Sequence, residues 1–250
     1  MSVTHTVSAG IAEVLVRRPP VNALDIASWF ALADTLRTLG ENPEVRVVVL
    51  AAEGRGFNAG VDIKELANAG HKALVEVNRA CFAAFAAVYE CAVPVIAAVN
   101  GYCLGGGIGL VGNADAIVAD DRATFGLPEV DRGALGAATH LARMVPPHKL
   151  RELVYTASTV TAQQLHAWGS VSAVVPPDEL RAAAHALAAR MASKNATILR
   201  AAKRCLNGID PVDVHKSYRF EQGFTYELTL AGVADEAREA FAEKRDPRHG

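Results

Sequence analysis

The chain has 250 residues, 51% of them hydrophobic and 21% charged, the balance of a globular protein long enough to bury a substantial core. Its 25 Lys and Arg against 27 Asp and Glu leave a net charge of −2, without the basic excess of a nucleic-acid scaffold. No basic segment followed by an apolar run opens the sequence, and no apolar stretch reaches the ~18 residues of a membrane span, so the expected setting is cytoplasmic, with neither membrane nor nucleic acid as partner.

In chain order, Thr4 to Ser8 and Ile11 to Val16 flank Ala9-Gly10 and read as a hairpin. Arg17 to Leu24 reads as a loop, because Pro19 and Pro20 remove donors and hold the chain extended. Asp25 to Leu39 reads as an amphipathic helix, with Trp29, Leu32, Leu36 and Leu39 along one face and Gly40 as its stop. Val47 to Ala52 is an apolar run suited to a strand covered on both faces, and a glycine turn over 53–60 follows it. Residues 72–90 form an Ala-rich helix with Val75, Phe82, Phe85 and Val88 as expected buried members. Val95 to Val99 is a second buried strand, leading through Gly105-Gly106-Gly107 into a helix, and Ala116 to Ala119 is a third. This recurrence of strand, turn and helix argues for a mostly parallel βα arrangement over roughly the first 190 residues. Beyond about residue 177 the sequence reads as helix alone: Asp178 to Ala192, Ala196 to Leu206, Pro211 to Ala231 and Val233 to Arg245. Ile198, Phe220, Phe224, Leu228 and Phe241 in this tail point equally to an oligomer contact or to packing on the core. Cys81, Cys91, Cys103 and Cys205 have no paired metal-ligand spacing, and three lie in apolar surroundings that suit buried thiols, so no metal site is expected.

The two glycine turns carry the functional signal. Each follows a buried strand and precedes a helix, where free backbone N–H groups face whatever occupies the turn. Two such turns can each give one N–H to a single oxygen, which is the construction of an oxyanion hole. Gly107, Gly109 and Gly112 formally match G-x-G-x-x-G, but the pattern starts late in the chain and inside a helix, and the next strand ends at Asp120, too soon for a dinucleotide site. A phosphate loop of the Walker type fails because no Gly-Lys-Ser/Thr follows.

Arg18-Pro19…Asn22-Ala23-Leu24, Gly56 to Lys64, Asn100-Gly101…Gly105-Gly106-Gly107 and Phe125 to Glu129, in this order and spacing, resemble the crotonase superfamily, the enoyl-CoA hydratase/isomerase family. The resemblance covers nearly the whole chain. It implies an α/β fold, with a crotonase-like spiral of repeated ββα units and the active site over residues 1–190. A helical oligomerisation region over 191–250 would build trimers, often paired into hexamers. It implies an acyl-CoA substrate, with no metal or redox cofactor, and a thioester oxygen held between the N–H groups of Val61 and Gly106. CoA would run along Val21, Ala23, Ala59, Asp62 and Ile63, with Phe241 and Lys244 closing over the nucleotide. For Lys244 a solvated surface position, and for Phe241 a place in the helix core, are the competing readings.

Hydratases of this family use two glutamates, and the sequence matches one of them, Glu129. At the position of the other stands Gly109. Loss of one general acid/base typically costs 10²–10⁴-fold, which counts against hydration. Asp131, Arg132 and His140 are secondary substrate-binding candidates: Arg132 could face a substrate carboxylate or ketone or pair with Asp131, and His140 fits helix packing better than base catalysis. One carboxylate and an oxyanion hole suffice to isomerise an enoyl thioester, or to add water to the ketone of a β-keto thioester and cleave a carbon–carbon bond. Gly109 also vacates volume for a bulky acyl group. Phe57 to Glu65, Tyr89 to Pro94, Gly105 to Asn113 and Phe220 to Phe224 are similar to the branch of the family that opens a ring hydrolytically in bacterial steroid degradation. That similarity implies C–C hydrolysis of a cyclic, indane-type β-keto CoA thioester. Enoyl-CoA isomerase or hydratase activity is the alternative in the same fold, and a non-catalytic CoA-binding scaffold the alternative of another class.

Overall fold

The computed structural model describes residues 2–62, 70–243 and 245. In chain order the strands are β1 (Val3–Ser8), β2 (Ile11–Val16), β3 (Val47–Ala52), β4 (Val95–Val99), β5 (Tyr102–Leu104), β6 (Ala116–Asp120), β7 (Thr124–Gly126), β8 (Thr159–Thr161) and β9 (Ala173–Val175). The helices are α1 (Ile26–Glu41), α2 (Gly70–Tyr89), α3 (Gly106–Val111), α4 (Ala138–Leu141), α5 (Pro147–Tyr155), α6 (Ala162–Ala167), α7 (Leu180–Ala192), α8 (Ala196–Gly208), α9 (Val214–Leu230) and α10 (Val233–Glu243), with a 3₁₀ turn at Val130–Arg132.

Six strands form one sheet in the order β1-β2-β3-β4-β6-β9, antiparallel at the β1–β2 hairpin and parallel throughout the rest. Its central strands are apolar at nearly every position because helices cover both faces. Val48, Leu50, Val95, Ala97 and Val99 face the cluster shared with Trp29, Leu32 and Leu36 of α1 and Val77, Phe85 and Val88 of α2. The alternate residues Val47, Val49, Ile96, Ala98 and Val118 face Leu180, Ala184, Ala188 and Ala192 of α7. A boundary at residue 190 therefore falls inside a helix that belongs to the core up to Ala192. Asp25 caps α1 by accepting the Ser28 N–H at 2.8 Å, which starts that helix just after the proline loop.

A second sheet of three short strands, β5-β7-β8, stands apart from the first. It produces the ββα repeat: β4 leads through β5 into α3, and β6 leads through β7 into the 3₁₀ turn. Asn58, after β3, forms an isolated bridge to Cys103 of β5 and joins the first turn to the same layer.

One expectation changes here. Val75 is exposed, because it lies on the outer face of α2 between the buried Ala73 and Val77, while Phe85 and Val88 are buried. The helical tail packs on its own chain: Lys203 of α8 is buried and paired with Asp115 at 2.7 and 2.8 Å, and α9 buries Tyr218, Glu221, Gln222, Thr225 and Thr229. Ile198, Phe220 and Phe224 remain exposed, Phe220 and Phe224 in edge-to-face contact at 5.1 Å. Cys81, Cys91 and Cys103 are buried and Cys205 is exposed. Among the described residues no helix is long and apolar enough to cross a membrane.

Candidate functional site

The loop at 18–25 is fixed first. The Arg18 guanidinium reaches the Ala23 carbonyl at 2.6 Å, Asp62 at 2.8 Å and Asp25 at 3.0 Å. Asn22, buried at φ 55°, donates to the Glu53 and Gly56 carbonyls at 2.7 and 2.9 Å. Asn58 donates to the Asn22 carbonyl at 2.6 Å and accepts the Gly60 N–H at 2.8 Å. The Arg-Pro…Asn-Ala-Leu stretch is thus a clamp on the first glycine turn, and the Asp62 carboxylate is held within it.

The clamp sets the direction of the next peptide. Leu24 N–H donates to the Gly60 carbonyl and Asp62 N–H donates to the Leu24 carbonyl, both at 2.9 Å. In extended chain successive peptide N–H groups alternate in direction. With Asp62 N–H facing Leu24, Val61 N–H is directed away from Leu24. In the second glycine turn Gly105 stands at φ 56°, ψ −118° and α3 begins at Gly106. A Cβ on Gly60 would lie 3.3 Å from Gly106 N, so the two backbones touch with no room for a side chain between them.

Glu129 closes the group. It follows β7, and its carbonyl accepts the Arg132 and Ala134 N–H groups at 2.9 and 3.0 Å, which folds the 3₁₀ turn behind it. Its Oε1 lies 2.6 Å from where a Cβ on Gly105 would stand, and its Oε2 is buried with no hydrogen-bond partner. Burial pushes the carboxyl up to about 8; Arg132 lowers it and Glu221 raises it by smaller amounts.

These groups line one cavity of about 150 Å³. Ala59, Gly60, Val61 and Gly106 form one side. Leu74, Val77, Asn78, Cys81 and Phe85 come from α2, Glu129 and residues 132–137 from the loop after β7, and Tyr218, Thr225 and Thr229 from α9. Burial, with the Glu129 charge, pushes the Cys81 thiol up to about 12, so it is no nucleophile near neutral pH.

Gly109 does not leave free volume. A Cβ there would meet the Phe85 ring at 2.3 Å. The ring packs edge-on to Trp29 at 5.7 Å and to His140 at 5.1 Å and tilts against Tyr218 at 5.3 Å. The expectation of space for a bulky acyl group at Gly109 is therefore corrected: an aromatic ring fills the position.

Of the secondary candidates, only Arg132 lines the cavity. Asp131 is exposed on the 3₁₀ turn. His140 is buried behind Phe85 and Tyr218, with Nδ1 3.2 Å from Asn113 Oδ1, and burial lowers it to about 3, so it stays neutral as a packing residue. Val21 and Ala23 are half-buried in the clamp loop beside Ala59. Ile63 and Lys244 lie outside the described residues, as does the side chain of Phe241, whose backbone belongs to α10. Asn78, Phe85 and Tyr218 were not expected at the site. For Tyr218 the spacing with Glu221, Gln222, Thr225 and Thr229 was the available signal, a polar stripe at helical period.

The sequence profile of the enoyl-CoA hydratase/isomerase family matches residues 6–250. The chain is 62% identical over 250 residues to the (7aS)-7a-methyl-1,5-dioxo-2,3,5,6,7,7a-hexahydro-1H-indene-carboxyl-CoA hydrolase of Rhodococcus jostii (strain RHA1), covering 99% of this chain and 97% of that one. It is 60% identical over 246 residues to the protein of the same description from Mycobacterium tuberculosis (strain ATCC 25618 / H37Rv), covering 98% and 100%. A crystal structure of an enoyl-CoA hydratase/isomerase from Pseudoalteromonas atlantica T6c superposes with a TM-score of 0.89 at 26% identity, covering 100% of both chains. The chain is an enzyme of the enoyl-CoA hydratase/isomerase family, with the crotonase fold.

Proposed function

We propose that this enzyme opens a ring of a bicyclic keto acyl-CoA by hydrolysing a carbon–carbon bond, with Glu129 as its general base. The observation that carries the reading is the pairing of Glu129 with Gly109. One buried carboxylate lies against the glycine turns, and Phe85 occupies the place where a second would stand. The indene-carboxyl-CoA described for the relatives supplies the substrate class: a fused ring dione carried on CoA.

The steps follow from the groups present. The thioester oxygen takes the N–H groups of Val61 and Gly106. Glu129 removes a proton from water as its oxygen bonds to a ring-ketone carbon, and the carbonyl electron pair moves onto the ketone oxygen. Collapse of that alkoxide forms a carboxylic acid and breaks the bond to the neighbouring ring carbon. The departing pair is conjugated to the thioester and rests there as an enolate. Glu129 then returns its proton to carbon. Water, Glu129 and the thioester carry every proton and electron pair, so the reading calls for no cofactor.

The CoA moiety runs past Ala59 and the Val21–Ala23 loop, the exposed apolar residues of the tail join copies of the chain into a trimer or hexamer, and the enzyme works in the cytoplasm, where CoA esters are used. Isomerisation of an enoyl thioester needs the same single carboxylate and is the second reading. Turnover in ¹⁸O-water separates the two. Ring opening places ¹⁸O in a new carboxylate with the thioester intact. Double-bond migration in straight-chain enoyl-CoAs, with bicyclic diketones untouched, overturns the hydrolase reading, and release of free CoA overturns it in favour of thioester hydrolysis.

A further inference from the structure

Hydrolytic ring opening creates negative charge at two oxygens, that of the thioester and that of the ketone attacked by water. The two backbone N–H groups serve the first, and the second needs its own donor. Asn78 lines the cavity at 8% exposure, and its Nδ2 is buried without a hydrogen bond. The side chain sits on the cavity-facing stripe of α2, with Cys81 and Phe85 one and two turns further along. Gln222 of α9 donates to the Asn78 backbone carbonyl at 2.9 Å and holds this turn of α2 in place.

An unsatisfied buried amide costs roughly 1–3 kcal/mol. In a cavity lining, a ligand is one source of the missing partner, and a free N–H selects an acceptor oxygen. Among the described residues of this lining, the other buried side-chain atom without a partner is Glu129 Oε2. The cavity therefore pairs one buried base with one buried neutral donor. Addition of water to a carbonyl uses both, the base on the water and the donor on the carbonyl oxygen. Arg132, the cation of the same lining, already acts on Glu129 by lowering its proton affinity.

We propose that the Asn78 side-chain amide donates to the ring-ketone oxygen of the substrate and stabilises the alkoxide formed when water adds. The assignment rests on the ring-opening reading. It is tested with Asn78→Leu, which keeps the volume and removes the donor, and with Asn78→Ser, which keeps a donor. Both are assayed for ring opening of a bicyclic keto acyl-CoA and for binding of a cyclohexenecarboxyl-CoA that has no ring ketone. Loss of an oxyanion donor lowers kcat by about 10²–10³-fold. N78L is expected to show that loss with KM within about threefold and unchanged binding of the ketone-free thioester, and N78S to recover part of kcat. Should leucine not be accommodated, Asn78→Ala gives the same donor-free comparison. An N78L or N78A enzyme with wild-type kcat overturns the Asn78 assignment alone. So does a kcat loss matched by an equal loss of ketone-free thioester binding, which makes Asn78 a wall residue. A wild-type enzyme that leaves the ring closed overturns the ring-opening reading, and this assignment with it.

Discussion

Replacing Glu129 by Gln separates the chemistry of the site from its cost to the fold. Desolvation holds the Glu129 carboxyl at about 8 against an ordinary 4.5. Below pH 4.5 the folded and unfolded chains both carry the proton and the group contributes nothing. Between 4.5 and about 8 the unfolded chain releases the proton while the folded chain keeps it, so the contribution of Glu129 to stability falls steadily. Above about 8 the folded protein carries the whole penalty of a buried charge. At 1.36 kcal/mol per pH unit its ceiling is roughly 5 kcal/mol. Glutamine resembles the protonated acid and does not titrate. E129Q should therefore match the wild type in Tm near pH 4.5 and exceed it at pH 9, with a ceiling of roughly 10–20 °C for a chain of this length.

Activity should move the opposite way. General-base loss lowers turnover by about 10²–10⁴-fold, and thioester binding should stay near normal. In the wild type only about a tenth of Glu129 is ionised at pH 7, so kcat/KM should rise nearly tenfold per pH unit up to about 8 and then level off. Thermal melts of both proteins from pH 4.5 to 9, with rates on the same samples, provide the measurement. A difference in Tm that does not grow with pH, or an E129Q enzyme that still turns over, refutes the reasoning.

Other perturbations follow from the same contacts. Gly105→Ala places a Cβ 2.6 Å from the Glu129 carboxylate at φ 56°, and should cost roughly 1–3 kcal/mol of stability and at least tenfold in kcat; wild-type values in melts and rates would contradict the geometry. Gly109→Glu, which restores the second carboxylate of hydratases, meets the Phe85 ring at 2.3 Å and should destabilise by roughly 3 kcal/mol or more in urea unfolding. Combining it with Phe85→Ala should recover most of that loss, and equal stability of the single variant and the wild type would remove Phe85 from the argument. Light scattering at micromolar protein should give three or six times the chain mass; a monomeric mass would remove the oligomer.

The sequence was most legible where burial writes a periodic pattern. The runs at Val47 to Ala52 and Val95 to Val99 and the stripe Trp29-Leu32-Leu36-Leu39 lie where their apolar spacing placed them. The second sheet was not legible, because strands of three residues such as β5 and β7 are too short to show alternation. Val75 misled because its apolar side chain lies on the outer face of α2, while Ala73 and Val77 take the buried face. At the site, Glu129 was legible through its motif, but its raised proton affinity depends on enclosure by α2 and α9, which no local pattern contains. Gly109 shows the limit most sharply. A missing side chain looks like empty space in one dimension, and the ring that fills the space belongs to another helix.

That exchange of a carboxylate for a ring bears on which reaction the site can run. Hydration of an enoyl thioester delivers hydroxide to one carbon and a proton to its neighbour, and two carboxylates share the task. Phe85 excludes the second. C–C hydrolysis makes a lighter demand, because the proton taken from water is the one returned to carbon and a single group carries it both ways. The group must then be basic enough to take a proton from water and must keep that proton away from solvent until the bond breaks. On the proposed reaction, desolvation of Glu129 would serve both needs: it raises the proton affinity of the carboxylate and leaves Oε2 without a competing partner. The penalty of burying that charge near pH 8, and the unpaired amide of Asn78 in the same cavity lining, are then two parts of the proposed arrangement. Each destabilises the empty enzyme, and on the proposed reaction each would be relieved when a ketone and a water molecule occupy the cavity.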